Sequence, residues 1–91
     1  MGKHLLKLYV AGENRRTDQA LSSARKIVDE LQDGYRLEVI DVLLEPQLAQ
    51  FASILATPTL VKDIPPPSRR LLGDLSNTRD VLNKLGLKKN I

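Results

Sequence analysis

The chain has no cysteine and no tryptophan, a single histidine (His4) and only three Phe or Tyr residues, Tyr9, Tyr35 and Phe51. Without cysteine there are no disulfides, no CxxC redox centre, no thiolate zinc site and no thiol nucleophile. One histidine without a partner makes no metal or acid–base pair, so His4 is expected on the surface. Three scattered aromatics make no stacking platform for single-stranded nucleic acid. No apolar run approaches the length of a membrane span. The opening "MGKHLLKLYVAGEN" lacks the apolar core and small-residue cleavage site of a secretory leader. The sequence therefore predicts a cytoplasmic protein that binds neither membrane nor nucleic acid.

Neither sign of charge dominates. Lys plus Arg number 14 and Asp plus Glu 11, a net charge of +3. That excess permits an anionic partner without demanding one. The cations fall in short pairs, Arg15-Arg16, Arg69-Arg70 and Lys88-Lys89, which suit solvated faces or a protein interface. No nucleophile–base pair, metal-ligand cluster or phosphate-cradling glycine loop is visible, and "AGEN" reads only as a turn. The expectation is a protein without catalytic, cofactor-binding or metal-binding residues.

With 91 residues the chain is expected to form one domain over 1–91 with a modest core. "LLKLYVA" alternates, with Leu6, Leu8 and Val10 on one face, and predicts a strand over Leu5–Ala11. Thr17 offers an N-cap and Asp18 favours the first turn of a helix. Leu21, Ala24, Ile27, Val28 and Leu31 then form the stripe of a helix over Asp18–Leu31, closed by Gly34. "YRLEVIDVL" predicts a second strand over Tyr35–Leu43. The strand–helix–strand order implies a right-handed crossover and parallel strands. Asp41 in this strand is expected to pair with a Lys or Arg.

Pro46 opens a short helix through "PQLAQFASIL", and Pro58 stops it. Thr59–Ile64 reads as a third strand. Pro65-Pro66-Pro67 makes a stiff loop, Arg69–Leu72 a fourth strand, and Gly73 ends it. Ser76 is expected to cap a last helix containing Val81, Leu82 and Leu85, which Gly86 closes. Residues 86–91 are expected to be a frayed tail. The order β-α-β-α-β-β-α gives an α/β fold, a four-stranded mixed sheet with three helices, and is the minimal thioredoxin-like arrangement.

Five stretches carry a resemblance to a known family: "LLKLYVAG", "VIDVL", "PQLA", "ILATPTLVK" and "PPPSRRLLGDLS". In this order and spacing they resemble the KaiB family of the cyanobacterial circadian clock and its bacterial relatives. The resemblance implies an adaptor that binds the N-terminal ring of the ATPase KaiC, captures KaiA and competes with the thioredoxin-like sensor of the kinase SasA. It implies a metamorphic chain, with a monomeric, binding-competent thioredoxin-like form and a tetrameric form whose C-terminal half is rearranged. It implies a cis Pro58. Lys7, Arg15, Arg16, Lys62, Arg69 and Arg70 are the candidate partner-binding residues on this reading. Pro58, Gly73, Ser76 and Gly86 are the structural ones.

The chain departs from the family pattern in three places. The stretch between Leu21 and Tyr35 is one residue shorter. "QFAS" replaces an acidic stretch after "PQLA". The segment "VLNKLGLKKNI" is more polar than usual. Asn83 and Lys84 suit a helix better than a strand, so the thioredoxin-like form is expected to dominate. These departures keep a second expectation open, a KaiB paralogue outside the core clock with a stress or signalling partner. A redox enzyme is opposed by the missing cysteines. A kinase sensor is opposed by the lack of coiled-coil heptads after the last helix.

Overall fold

The computed structural model describes residues 4–89. Its elements are β1 (Leu5–Val10), α1 (Arg15–Glu30), β2 (Arg36–Asp41), α2 (Pro46–Phe51), β3 (Thr59–Ile64), β4 (Arg69–Leu72) and α3 (Thr78–Leu85). The strands form one sheet in the order β2-β1-β3-β4. β1 and β2 run parallel, while β3 is antiparallel to both β1 and β4. The expected thioredoxin-like order and mixed sheet are both present.

Alternation along the strands separates the two faces of the sheet. Leu6, Leu8 and Val10 of β1 and Leu60 of β3 meet Ala20, Ala24 and Ile27 of α1 and Val81, Leu82 and Leu85 of α3 in one buried cluster. The spacing of the α1 and α3 residues puts each set on one helical face. On the opposite face lie Leu5, Lys7 and Tyr9 of β1, with Val61 of β3 beside Lys7 and Arg70 of β4 beside Val61.

The helix starts differ from the sequence expectation. α1 begins three residues earlier than expected and is capped by Asn14, whose side chain accepts from the Thr17 N–H at 2.9 Å. Thr17 lies inside the helix, and its hydroxyl donates back to the Gly12 carbonyl at 2.7 Å. α3 is capped by Asn77, which accepts from the Asp80 N–H at 3.0 Å, so Ser76 is not the cap. Asn and the hydroxyl residues are nearly equivalent caps, and the local backbone decides between neighbours.

The ends differ too. α1 closes on Leu31, whose N–H reaches the Val28 carbonyl, and Gly34 serves the following turn. Gly86 does close α3, in the left-handed conformation at φ 69°. β2 is shorter at both ends than the expected Tyr35–Leu43. The tail is not frayed through Lys89. Leu87 is buried against the core, the Lys88 carbonyl accepts from the Gln32 N–H, and Lys89 bridges Leu31 and pairs with Glu30. Asn90 and Ile91 lie outside the described residues.

Candidate functional site

The C-terminal ends of the parallel strands β1 and β2 share one end of the sheet, where loops gather in α/β folds. Asp41 fixes this end. Its Oδ1 accepts from the Gly12 N–H at 3.0 Å and from the Leu43 N–H at 2.9 Å, tying the exit of β1 to the exit of β2. Among the described residues no lysine or arginine pairs with it, and the expected ion pair is replaced there by a loop clamp on backbone donors. Asn14 Nδ2 adds a bond to the Ala11 carbonyl at 2.9 Å. Gly12 has φ +74°, and a Cβ there would stand 3.2 Å from Leu43 Cδ1, so the clamp fits only glycine comfortably.

Around this clamp the surface has two flanks. On one, Arg15 and Arg16 in the first turn of α1 border a groove of about 760 Å³, opposite Pro58 and the segment Gly73–Ser76. The Thr57–Pro58 peptide bond is cis. Asp74 Oδ1 accepts from the Ser76 N–H at 2.9 Å, and the hydrogen bonds from Ser76 hold its carboxyl below the usual carboxylate range.

The other flank is apolar. Residues 46–61 contain no charged side chain, in a chain that is 27% charged. Much of this segment stands in solvent. Phe51 is 92% exposed, Leu55 95% and Leu48 43%, beside Leu43 at 68% and Leu44 at 78%. α2 has Pro46 in its first turn, no side-chain cap on Glu45 and no buried residue. Its C-terminal end is held by Arg70, which donates to the Ala52 carbonyl at 2.9 Å and the Ser53 carbonyl at 3.0 Å. An open groove of about 630 Å³ runs beside α2, lined by Val42, Pro46, Ala49, Gln50, Ile54 and Leu55 among others.

The six basic candidates are not brought together. Arg15 and Arg16 stand at the site. Lys7 is mid-strand and pairs with Asp63 at 3.5 Å. Arg70 is engaged at the end of α2. Lys62 is 6% exposed, with Nζ donating to the Pro65 carbonyl at 3.0 Å. Arg69 lies alongside Gly86, its guanidinium within ordinary contact distance of a Cβ built there. Among the described residues no group of three His, Asp or Glu side chains is placed to hold a metal ion. Among the described residues no helix is long and apolar enough to cross a membrane. The sequence reading missed the exposed apolar set, although the charge-free run was its signal.

The surroundings of this site can be set against known proteins. The family model described as the KaiB domain matches residues 7–87. The circadian clock protein KaiB3 of Synechocystis is 47% identical over 88 residues, covering 96% of this chain and 84% of that protein. The circadian clock oscillator protein KaiB of Prochlorococcus marinus strain MIT 9312 is 52% identical over 85 residues, covering 92% and 81%. Among solved structures, the N-terminal domain of Synechococcus elongatus SasA superposes with a TM-score of 0.74 at 25% identity, over 93% of this chain and 81% of that one. Mitochondrial thioredoxin 3 of Saccharomyces cerevisiae reaches 0.73 at 16% identity, over 94% and 79%, a likeness of fold alone. With a family match across nearly the whole chain and relatives at about half identity, the chain belongs to the KaiB family of circadian clock proteins.

Proposed function

We propose that this protein is a non-enzymatic, cytoplasmic adaptor of a single domain that docks on a KaiC-type ring ATPase and modulates circadian kinase signalling. It rests in the thioredoxin-like form, and that form is the one that binds. The observation that carries the reading is the exposed, charge-free surface of α2 and its flanking loops. A soluble domain seldom leaves so many large apolar side chains together in water unless a partner covers them. Phe51 is the anchor of this surface, and Arg15 and Arg16 supply a basic rim. The likeness to the SasA N-terminal domain supports competition between the two for one ring, with a KaiA-like protein as a further partner. Lys7, Lys62, Arg69 and Arg70 support the scaffold rather than the contact.

A second reading, a paralogue outside the core clock with a stress or signalling partner, is favoured by "QFAS" after "PQLA", which replaces an acidic stretch with part of the charge-free run.

The test is equilibrium binding to the KaiC ring of the same organism. Phe51→Glu should weaken binding at least about tenfold, an anchor-sized loss. Arg15→Glu with Arg16→Glu should weaken it less and make it less dependent on salt. Wild-type chain that does not bind this ring, while folded, overturns the KaiC reading and leaves the paralogue one.

A further inference from the structure

We propose that the turn Asp33-Gly34 is a site of spontaneous backbone isomerisation, and that the reaction releases the C-terminal tail from the end of α1. One Asp or Asn in the chain is followed by glycine, and it is this one. In such a pair the backbone nitrogen of the glycine attacks the side-chain carboxyl carbon and closes a five-membered succinimide. A side chain on the second residue hinders the attack, and glycine has none. The bond from Gly34 N to Asp33 Cγ forms as the Cγ–OH bond of the protonated carboxyl breaks. One water leaves, made of that hydroxyl and the amide proton. Water then opens the ring at either carbonyl. Opening at the former main-chain carbonyl leaves isoaspartate, with the chain running through the old side chain. Water is lost and regained, so the mass is unchanged and nothing is oxidised or reduced. The change is covalent, and it alters the backbone itself.

The structure leaves both reacting groups free. Gln32, Asp33 and Gly34 are all exposed between the end of α1 and the start of β2. Among the described residues the Gly34 N–H donates to no other main-chain group. A Cβ built on Gly34 meets nothing within 4 Å, so no neighbour crowds the approach. The ionic neighbour of the Asp33 carboxylate is His4, whose Nε2 stands 3.9 Å from Oδ2, beyond hydrogen-bond reach. Other candidates are held. Asn14 and Asn77 are engaged as helix caps, and Asp41 by two backbone N–H groups. A side chain tied in this way does not turn back onto its own main chain, and each of these three is followed by a residue with a side chain.

Isomerisation adds one methylene to the main chain at residue 33 and takes one from the acidic side chain. The turn joins two anchored points. On one side the Gln32 N–H donates to the Lys88 carbonyl at 3.1 Å, and Leu31 bridges Lys89. On the other the Arg36 N–H donates to the His4 carbonyl at 3.0 Å and opens the pairing of β2 with β1. β2 is held along its whole length, whereas the tail is held by an isolated bridge. The extra atom is therefore taken up at Gln32, and the tail lets go there. This turn lies at the N-terminal ends of β1 and β2, away from α2, so the proposal does not depend on ring docking. Its product is a substrate for the class of methyltransferase that esterifies isoaspartyl carboxylates with the methyl group of S-adenosylmethionine. Closure of that ester on the Gly34 nitrogen expels methanol and restores the succinimide.

Ageing the purified full chain for several weeks at neutral pH and physiological temperature tests this. Trypsin releases residues 27–36 as one peptide. With ageing that peptide should split into two of equal mass, and electron-transfer fragmentation should place the isoaspartate at residue 33. An isoaspartyl methyltransferase with labelled S-adenosylmethionine should label the aged chain there and leave the fresh chain unlabelled. Asp33→Glu, which would have to close a six-membered ring, should keep the peptide single. Gly34→Ala should slow the splitting several-fold. Both variants should keep the circular dichroism of the wild type. In the aged fraction, amide exchange should accelerate at Gln32 and over residues 87–89 while β1 and β3 stay protected. A peptide that stays single throughout overturns the proposal, as does isoaspartate found only at another residue. Equal exchange over residues 87–89 in aged and fresh chains overturns the release of the tail.

Discussion

The guanidinium of Arg70 in β4 donates to the main-chain carbonyl of Ser53, 3.0 Å away, and with its second nitrogen to Ala52 at 2.9 Å. These carbonyls lie at the C-terminal end of α2, where the helix leaves acceptors unpaired. One cation on the sheet thus fixes a helix that has no buried residue of its own. Arg70→Ala should cost about 1 kcal/mol of global stability, the scale of a solvent-accessible charged hydrogen bond. Its larger effect is local. Amide exchange over residues 46–55 should accelerate while β1 and β3 stay protected. Unchanged exchange in that segment would show that Arg70 does not hold it.

Lys62 tests the division between scaffold and contact. Its stem is buried and its ammonium is given to the Pro65 carbonyl. Lys62→Met keeps the stem and removes the charge, and should change stability by no more than about 1 kcal/mol. Lys62→Glu places an unpaired anion beside a carbonyl and should destabilise by about 3 kcal/mol. Both are read by denaturant unfolding. Folded Lys62→Met should bind the ring as the wild type does, and a selective loss of binding there would move Lys62 back to the interface.

The caps make a sharper pair. Asn77→Ala should cost about 1 kcal/mol, since the first turn of α3 loses its acceptor. Ser76→Ala should cost only a few tenths of a kcal/mol, as the main contact of Ser76 with Asp74, through the backbone N–H, survives the change. Thermal melting of the two variants decides between them, and the opposite ranking would refute the cap assignment.

These contrasts show what the sequence made legible. The first strand, expected over Leu5–Ala11 and one residue shorter in the structure, the α1 stripe and the stop at Gly86 follow from local periodicity and backbone preference. The caps were ambiguous because Asn14 and Thr17, and Ser76 and Asn77, all carry side-chain oxygens able to accept from first-turn N–H groups and stand within a few residues of each other. Lys62 looked exposed because charge implies water, but its neighbour across the sheet is the core residue Leu6 and its stem follows the core face. The docking of Leu87 and Lys89 depends on Glu30, Leu31 and Gln32, far away in sequence. Phe51 and Leu48 were legible as apolar, yet amphipathic reasoning turns such residues inward. Only the packing reveals that α2 leaves them in solvent.

The central claim is that the resting thioredoxin-like form is already the ring-binding form. The most direct measurement is size-exclusion co-migration of the chain with the KaiC ring of the same organism, sampled within minutes of mixing and again after a day. The account predicts a complex that is complete within minutes and unchanged a day later. A complex that appears only after many hours would show that the chain must first refold. No complex at either time would remove KaiC as its partner.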